Sequence, residues 1–356
     1  MKVVLCAGGT GGHILPAIVL ASLMNKKNWN IKIMCRSKDV NLSEKFQSFS
    51  KDLVFLPGRG LPRNRISIKF FLFILDLLVA FFKSFFFLLS YKPDLLISFG
   101  GYISFAPSFA AFLCRIPVIM VEQNSIPGLA NKMISLFCKE IFLNFEEAKK
   151  YFNKGTVINQ PVDPSIGTVS RKSGCLALGL NPKRKTILIL GGSQGAQGLN
   201  NIVKDTVKNL SDWNIIWSCG RNNLREISSN FGPKDADRVA VAGFFENMSE
   251  VYAAADVVVC RAGASTLSEL DVCGLSAVLV PFPYATDDHQ FYNALSFAKK
   301  HNAIVIREEE LDPKKLMSAV LTLIKKNPLR KKNISADQIN EKFLEKIESI
   351  IKQKGT

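Results

Sequence analysis

The chain has 356 residues, 47% of them hydrophobic, which is enough to fill two ordinary cores, because single cores stop growing at a few hundred residues. Its formal charge of +16, from 46 Lys and Arg against 30 Asp and Glu, favours anionic partners such as nucleic acid, an acidic bilayer or a phosphate-bearing substrate. The eight cysteines stand singly with no CxxC pair, and no zinc-finger, RRM or KH signature occurs, so a zinc site, a disulfide framework and nucleic-acid reading are disfavoured and a reduced compartment fits.

In chain order, Val3-Val4-Leu5-Cys6-Ala7 reads as a short strand running straight from Met1-Lys2 into Gly8-Gly9-Thr10-Gly11-Gly12-His13. Nothing ahead of it looks like a signal peptide, so the chain is expected to stay inside the cell. The same grammar returns at Lys185 to Gln197, KTILILGGSQGAQ: an apolar strand, a double glycine, a turn, a further glycine and then helix formers. A strand, glycine turn and helix opens a βαβ unit, and meeting it twice predicts an α/β chain of two doubly wound Rossmann-like domains with a cleft between them. Strand-like runs at Leu95 to Gly101, Ile116 to Asn124 and Ala255 to Ala264 end in small or polar residues, where function is expected in such sheets. The link between domains falls in Asn159 to Pro164, giving domains of 1–161 and 162–335.

Neither glycine loop spells the dinucleotide fingerprint, and the second strand ends on Cys35 and Arg36 where that fold wants an acid, which disfavours an NAD enzyme. What remains is physical: glycines let phosphate oxygens approach backbone N–H groups at a helix N-terminus.

Lys69 to Tyr91, KFFLFILDLLVAFFKSFFFLLSY, is long enough to cross a bilayer, but Lys69, Asp76 and Lys83 interrupt it at intervals of seven and so share one helical face. Each mid-span charge costs roughly 2.5 to 3.5 kcal/mol and each apolar residue returns roughly 0.3 to 0.6, so insertion is near balance. Crossing would also put the two halves of one cleft on opposite sides. The expectation is therefore an amphipathic helix lying in the bilayer surface, with phenylalanines such as Phe73 and Phe81 inserted and Lys69 and Lys83 near anionic headgroups.

In the second half, Ala242 to Met248, Arg261 to Leu270 and Pro281 to Ala294 each follow a strand. Gly263, Ala264, Ser265 and Thr266 offer N–H groups at a helix start, a seat for a diphosphate, and Glu269 is expected in the first turn, where a carboxylate can accept both hydroxyls of a ribose.

Taken together and in this order, GGTGGH, FGGYISFAP (Phe99 to Pro107), EQNSIPGLANK (Glu122 to Lys132), GGSQGA, RAGASTLSE and DDHQFYNA resemble the UDP-N-acetylglucosamine:undecaprenyl-pyrophosphoryl-muramoyl-pentapeptide N-acetylglucosaminyltransferases of peptidoglycan synthesis, the MurG family, over nearly the whole chain. The resemblance implies the GT-B fold with a deep interdomain cleft, acceptor and membrane on the N-terminal half and UDP-N-acetylglucosamine on the C-terminal half. It also implies a last helix (336–356) packed back on the first domain and a peripheral place on the cytoplasmic face of the inner membrane. Donor contacts carried over are Ser193, Gln194, Phe245 and Met248, with Glu269 on ribose, the Gly263 and Ala264 amides and Thr266 at the phosphates, and Gln290 and Asn293 on sugar hydroxyls. Thr10, Gly11, Gly12 and Asn124 complete the site, His13 is the favoured general base, and Tyr102, Glu122 and Asn124 are the other candidates.

Two positions depart from the family pattern: Asp163 and Gln197 stand where arginines are usual, and Arg261 is a candidate to share in neutralising the leaving diphosphate. Asp235-Ala236-Asp237 resembles the metal-binding DxD of other glycosyltransferases but reads as a solvated turn, and Asp287-Asp288-His289 reads as a sugar rim; a metal is optional and no cofactor is required. The rival readings are a relative of the same fold acting on another lipid such as diacylglycerol, and a membrane-surface sugar-nucleotide binder without catalysis; an oxidoreductase is the weakest.

Overall fold

The computed structural model describes the chain except residues 43–45, 47, 63–66, 192–195, 208–209, 327–333 and 353–356 and the side chains at 41 and 42. It divides into two units, Met1–Val162 together with the chain from Ile339 onward, and Asp163–Gln338.

The first unit carries strands β1 (Lys2–Cys6), β2 (Asn30–Cys35), β3 (Leu53–Phe55), β4 (Leu95–Ser98), β5 (Val118–Glu122), β6 (Glu140–Leu143) and β7 (Thr156–Val157), in the sheet order β3-β2-β1-β4-β5-β6-β7. All neighbours are parallel, with Val4 opposite both Lys32 and Leu96. The order reverses between β1 and β4, the switch point beside which ligands bind in open α/β sheets. A central parallel strand is covered on both faces and so reads as an unbroken apolar run. Val3 and Leu5 point into one core with Ile14 and Ile18 of α1 (Gly11–Lys26), while Val4 and Cys6 point into the other, beneath α2 (Ile68–Tyr91) and α3 (Tyr102–Leu113). A short α4 (Leu129–Ile134) follows β5.

The second unit repeats the plan with β8 (Thr186–Leu190), β9 (Asn214–Ser218), β10 (Val239–Ala242), β11 (Val257–Cys260), β12 (Ser276–Leu279) and β13 (Ala303–Val305), ordered β10-β9-β8-β11-β12-β13 and parallel throughout. Its helices include α5 (Arg171–Ala177), α6 (Gln197–Val207), α7 (Leu224–Ser228), α8 (Met248–Ala254), α9 (Ala264–Cys273), α10 (His289–Ala298) and α11 (Pro313–Lys326). The two doubly wound Rossmann-like units read from the sequence are both present.

The final helix, α12 (Ala336–Lys352), places Phe343, Leu344, Ile347 and Ile350 in the core of the first unit, Phe343 edge-on to Phe142 with ring centroids 4.9 Å apart. Its N-terminal half is pinned by one buried side chain. The Asn340 carboxamide accepts from the Val162 amide at 3.0 Å and donates to the Val162 carbonyl at 2.7 Å, pairing both backbone groups of the residue at the unit boundary. Asn340→Leu would leave both Val162 groups buried and unpaired. It should cost about 2 to 6 kcal/mol, from about 1 to 3 kcal/mol for each of the two orphaned groups. Thermal and urea unfolding followed by circular dichroism would register that loss, and an unchanged melt would show that water replaces the carboxamide.

Candidate functional site

In the first unit the site grows from the C-terminal end of β1. Thr10 is the extended N-cap of α1, and Gly11, Gly12 and His13 form its first turn, where the His13 amide donates to the Thr10 carbonyl at 3.1 Å and the helix dipole favours an anion. His13 Nδ1 lies 3.3 Å from Thr10 Oγ1. The turn after β4 closes on the same place. Gly101 holds φ at +78°, and a Cβ there would stand 3.1 Å from the Gly8 carbonyl and 3.5 Å from His13 Nδ1, so a side chain would hold the two turns apart.

Asp39, unremarked in the sequence, sits beneath the first loop. It is buried, accepts from Gly9 N at 3.4 Å and from Arg36 Nε at 2.9 Å, and a Cβ on Gly8 would fall 2.6 Å from its Oδ2. The acid absent from the end of β2 thus stands four residues later, paired with Arg36, and ties the loop rather than a ligand.

Glu122, at the end of β5, is 1% exposed. Its Oε1 accepts from Asn124 N at 2.9 Å and its Oε2 from Asn131 Nδ2 at 2.7 Å. Burial pushes its pKa up to about 7 against the pull of these donors. Asn131 in turn abuts Gly100, where a Cβ would meet its Oδ1 at 2.7 Å. Thr10, Gly11, Gly12, His13, Glu122 and Asn124 therefore lie on turns leaving one sheet edge.

Tyr102 begins α3, and its ring packs edge-on against Phe73 at 5.8 Å. That contact corrects the expected membrane face. Phe73 is only 8% exposed and so does not insert into a bilayer, whereas Phe81 is half-buried and packs on Phe85 and the exposed Phe109. The outward apolar face of α2 is built instead from Ile68, Phe71, Leu75, Leu78, Val79, Phe82, Phe86 and Leu89, with Lys69 and Lys83 exposed beside them. Asp76 pairs with Arg59 at 3.3 Å. The apolar surface continues onto Phe109, Phe112, Leu113, Leu129, Met133 and Leu136, which no sequence period marked. By length and composition alone α2 could cross a membrane.

In the second unit, Gly263 caps α9 and Ala264, Ser265 and Thr266 make its first turn, as the diphosphate seat requires. The Ser265 hydroxyl is buried without a hydrogen-bond partner among the described residues. Glu269, expected in that turn, lies in the next, because α9 already starts at Ala264 and Glu269 is its sixth residue. Tyr252, a fully buried residue of α8, donates to Glu269 Oε2 at 2.7 Å. Burial, reinforced by that carboxylate, pushes the phenol well above its ordinary pKa, so it stays a donor. Met248 opens the same α8, and Phe245 precedes it, both part-exposed.

Arg261 has partners within its own unit. Its guanidinium donates to the Val280 and Pro281 carbonyls at 3.2 and 3.1 Å, pairs with Glu308, and lies over the Phe282 ring. Gln290 Oε1 accepts from Phe282 N at 3.0 Å, whereas Asn293 is wholly buried and donates to the Ala262 carbonyl at 3.3 Å, which makes it a support for the turn before α9. Ser193 and Gln194 lie outside the described residues. Asp235 is buried and bonded to Gly232 N and Arg238, not a solvated turn residue, and those bonds hold its pKa below the usual range. In the expected rim, Asp288 pairs with Arg307 at 2.7 Å and His289 Nδ1 bonds the Thr286 carbonyl. Asp163, where the family has arginine, accepts from Ser165 in a local turn, and Gln197 is the first residue of α6. Among the described residues no group of three or more His, Cys, Asp or Glu is placed to hold a metal ion.

Residues 3–143 match the glycosyltransferase family 28 N-terminal domain and residues 186–353 its C-terminal domain. A UDP-N-acetylglucosamine--N-acetylmuramyl-(pentapeptide) pyrophosphoryl-undecaprenol N-acetylglucosamine transferase of Halothermothrix orenii is 37% identical over 91% of this chain and 90% of its own length. The protein of that name from Myxococcus xanthus is 34% identical over 94% of this chain and 87% of its own. The crystal structure of Acinetobacter baumannii MurG superposes with a TM-score of 0.69 at 25% identity, covering 96% of this chain and 98% of that one.

Two consequences are measurable. Because Glu122 takes up its proton more readily folded than unfolded, its contribution to stability is complete below about pH 4.5 and is lost as pH rises through about 7. The melting temperature of the native chain should therefore fall relative to Glu122→Gln between pH 5 and 8, and parallel curves would refute the raised value. Tyr252→Phe removes one donor from a carboxylate and should weaken UDP binding by roughly three- to tenfold in calorimetric titration, in line with about 1 kcal/mol per hydrogen bond.

Proposed function

We infer the reaction from kinship: the chain belongs to the family of N-acetylglucosaminyltransferases that act on pyrophosphoryl-undecaprenol-linked N-acetylmuramyl-pentapeptide, and it transfers N-acetylglucosamine from UDP-N-acetylglucosamine to that lipid. In the proposed mechanism the muramoyl 4-hydroxyl attacks the anomeric carbon, His13 takes its proton, and the bond to the UDP oxygen breaks on the opposite face with inversion. The observation that carries this assignment is the placement of His13 in the first turn of α1, against Gly101 and beside amides suited to an anion, on the edge that also holds Glu122.

In the second unit, the α9 N-terminus takes the leaving diphosphate and Glu269, held by Tyr252, takes the ribose. Phe245 and Met248 flank uracil, and Gln290 meets the sugar. With Arg261 committed elsewhere, backbone amides carry the neutralisation, so no cofactor is required and a divalent metal is optional. Glu122 acts on this reading as the residue that orients Asn124 and Asn131, its burial suiting it to structure more than to proton exchange with solvent. The protein works as a peripheral enzyme on the cytoplasmic face of the inner membrane, a reading supported by the exposed apolar face of α2 beside Lys69 and Lys83.

The test incubates labelled UDP-N-acetylglucosamine with a short-chain lipid-linked muramoyl-pentapeptide, with diacylglycerol as the control acceptor. Label should reach only the muramoyl lipid, and chelator should change the rate by less than about twofold. His13→Ala should lower turnover by about 10²- to 10⁴-fold while donor binding persists, the usual range for a lost general base. Transfer to diacylglycerol, or an active His13→Ala, would overturn the acceptor or the base respectively.

A further inference from the structure

A cavity of about 260 Å³ opens between α2, α3 and α4. Leu61, Phe73, Leu77, Phe105 and Met133 line it with other apolar residues, and Tyr102 brings the one polar side-chain group among the described lining residues. Its two ends differ in what they border. At the inner end Tyr102 follows directly on Gly101, the residue set against His13. At the outer end Leu129 and Met133 belong to the exposed apolar surface that continues from α2.

We propose that this cavity seats the first isoprenyl units of the acceptor's polyprenyl chain, so that the protein itself, and not only the bilayer, recognises the lipid. The inference rests on the acceptor reading above. The chain of that acceptor has to run from its reacting head to an apolar surface, and the cavity is lined both by Tyr102, the residue after Gly101, and by Leu129 and Met133 of that surface. A dry cavity of roughly 150 Å³ takes a six-carbon ring, so about 260 Å³ has room for on the order of ten carbons, or two branched five-carbon units. Flat alkene carbons suit walls of aromatic rings, here Phe70, Phe73, Tyr102 and Phe105. A phospholipid chain would fit the same apolar lining but would bring no reacting headgroup to the inner end.

The experiment compares two acceptors with the same diphosphoryl-muramoyl-pentapeptide head, one on a ten-carbon prenyl chain and one on a methyl group, in solution without vesicles. The prenyl acceptor should show a KM at least about tenfold lower, a modest return for burying several methylene equivalents. Met133→Trp, which fills the outer end, should shrink that gap to below about threefold with turnover of the methyl acceptor unchanged, whereas Leu136→Trp, at a residue 83% exposed and outside the cavity, should keep it. Calorimetric binding of a ten-carbon prenyl diphosphate against inorganic diphosphate reads the same contrast without turnover, and Leu129→Trp serves if Met133→Trp melts early.

Equal KM values for the two acceptors in the native chain, or a gap that survives Met133→Trp, would overturn the proposal. So would a Met133→Trp chain that loses phosphatidylglycerol vesicles but keeps the gap, which would assign the cavity to a bilayer lipid. Transfer to neither acceptor, with the donor still bound, would instead sink the acceptor reading itself.

Discussion

In a parallel sheet every strand runs the same way, so the turns leaving their C-terminal ends share one edge, and the helices that follow present their N-terminal amides there. Both units obey this constraint, and their candidate chemistry depends on it. In the first, the edge gathers the turns after β1, β4 and β5, which carry His13, Gly101 and Glu122. In the second, it gathers the turns after β10, β11 and β12, which carry Phe245, Gly263 and Gln290. Glycine recurs on these edges because neighbouring turns must approach more closely than a Cβ permits. At Gly8 the obstacle would be Asp39, at Gly100 Asn131, and at Gly243 the Arg221 backbone.

Convergence alone would leave these side chains loosely held, and in each unit a second, buried polar residue does the holding. Asn131 fixes Glu122, Tyr252 fixes Glu269, and Asn340 fixes the chain at Val162. Each donates to its acceptor in a buried or half-buried setting, where a lower dielectric strengthens the bond and its loss exposes a desolvation cost. Arg261 shows the opposite outcome of the same rule. A guanidinium beside a sheet edge looks free in a sequence, but two carbonyls and Glu308 occupy it once the chain folds.

The fold was legible because the signals for it are local: continuous apolar strands such as Val3 to Ala7 and Ile187 to Leu190, each followed by glycines, can only be central strands of a parallel sheet. The site was legible only where a motif and a turn coincide, as at Gly11 to His13 and Gly263 to Thr266. Asp39, Asn131, Tyr252 and Asn340 were not, because each acts across a distance in sequence, from 9 residues between Glu122 and Asn131 to 178 between Val162 and Asn340, that no periodicity encodes. Glu269 falls one turn later than its motif suggests because the helix already begins at Ala264, directly after its Gly263 cap.

The long apolar helix exposes the limit of pattern reading most clearly, because α2 is apolar nearly all round and hydropathy cannot say which phenylalanine faces which way. Packing decides it. Phe73, Ala80, Ser84 and Leu88 recur at intervals of seven and four along one stripe, and the small Ala80 and Ser84 let α2 settle closely on the α3 side, where Ala106 and Ala110 wait. A helix committed along that stripe keeps its polar interruptions, Lys69 and Lys83, at the surface, and Asp76 in an ion pair with Arg59. Toward its N-terminal end Phe70, Phe73 and Leu77 face Tyr102 and Phe105 around the cavity, with Phe73 edge-on to Tyr102. The same aromatic residues that make the helix read as a membrane span in sequence thus wall a cavity in the fold.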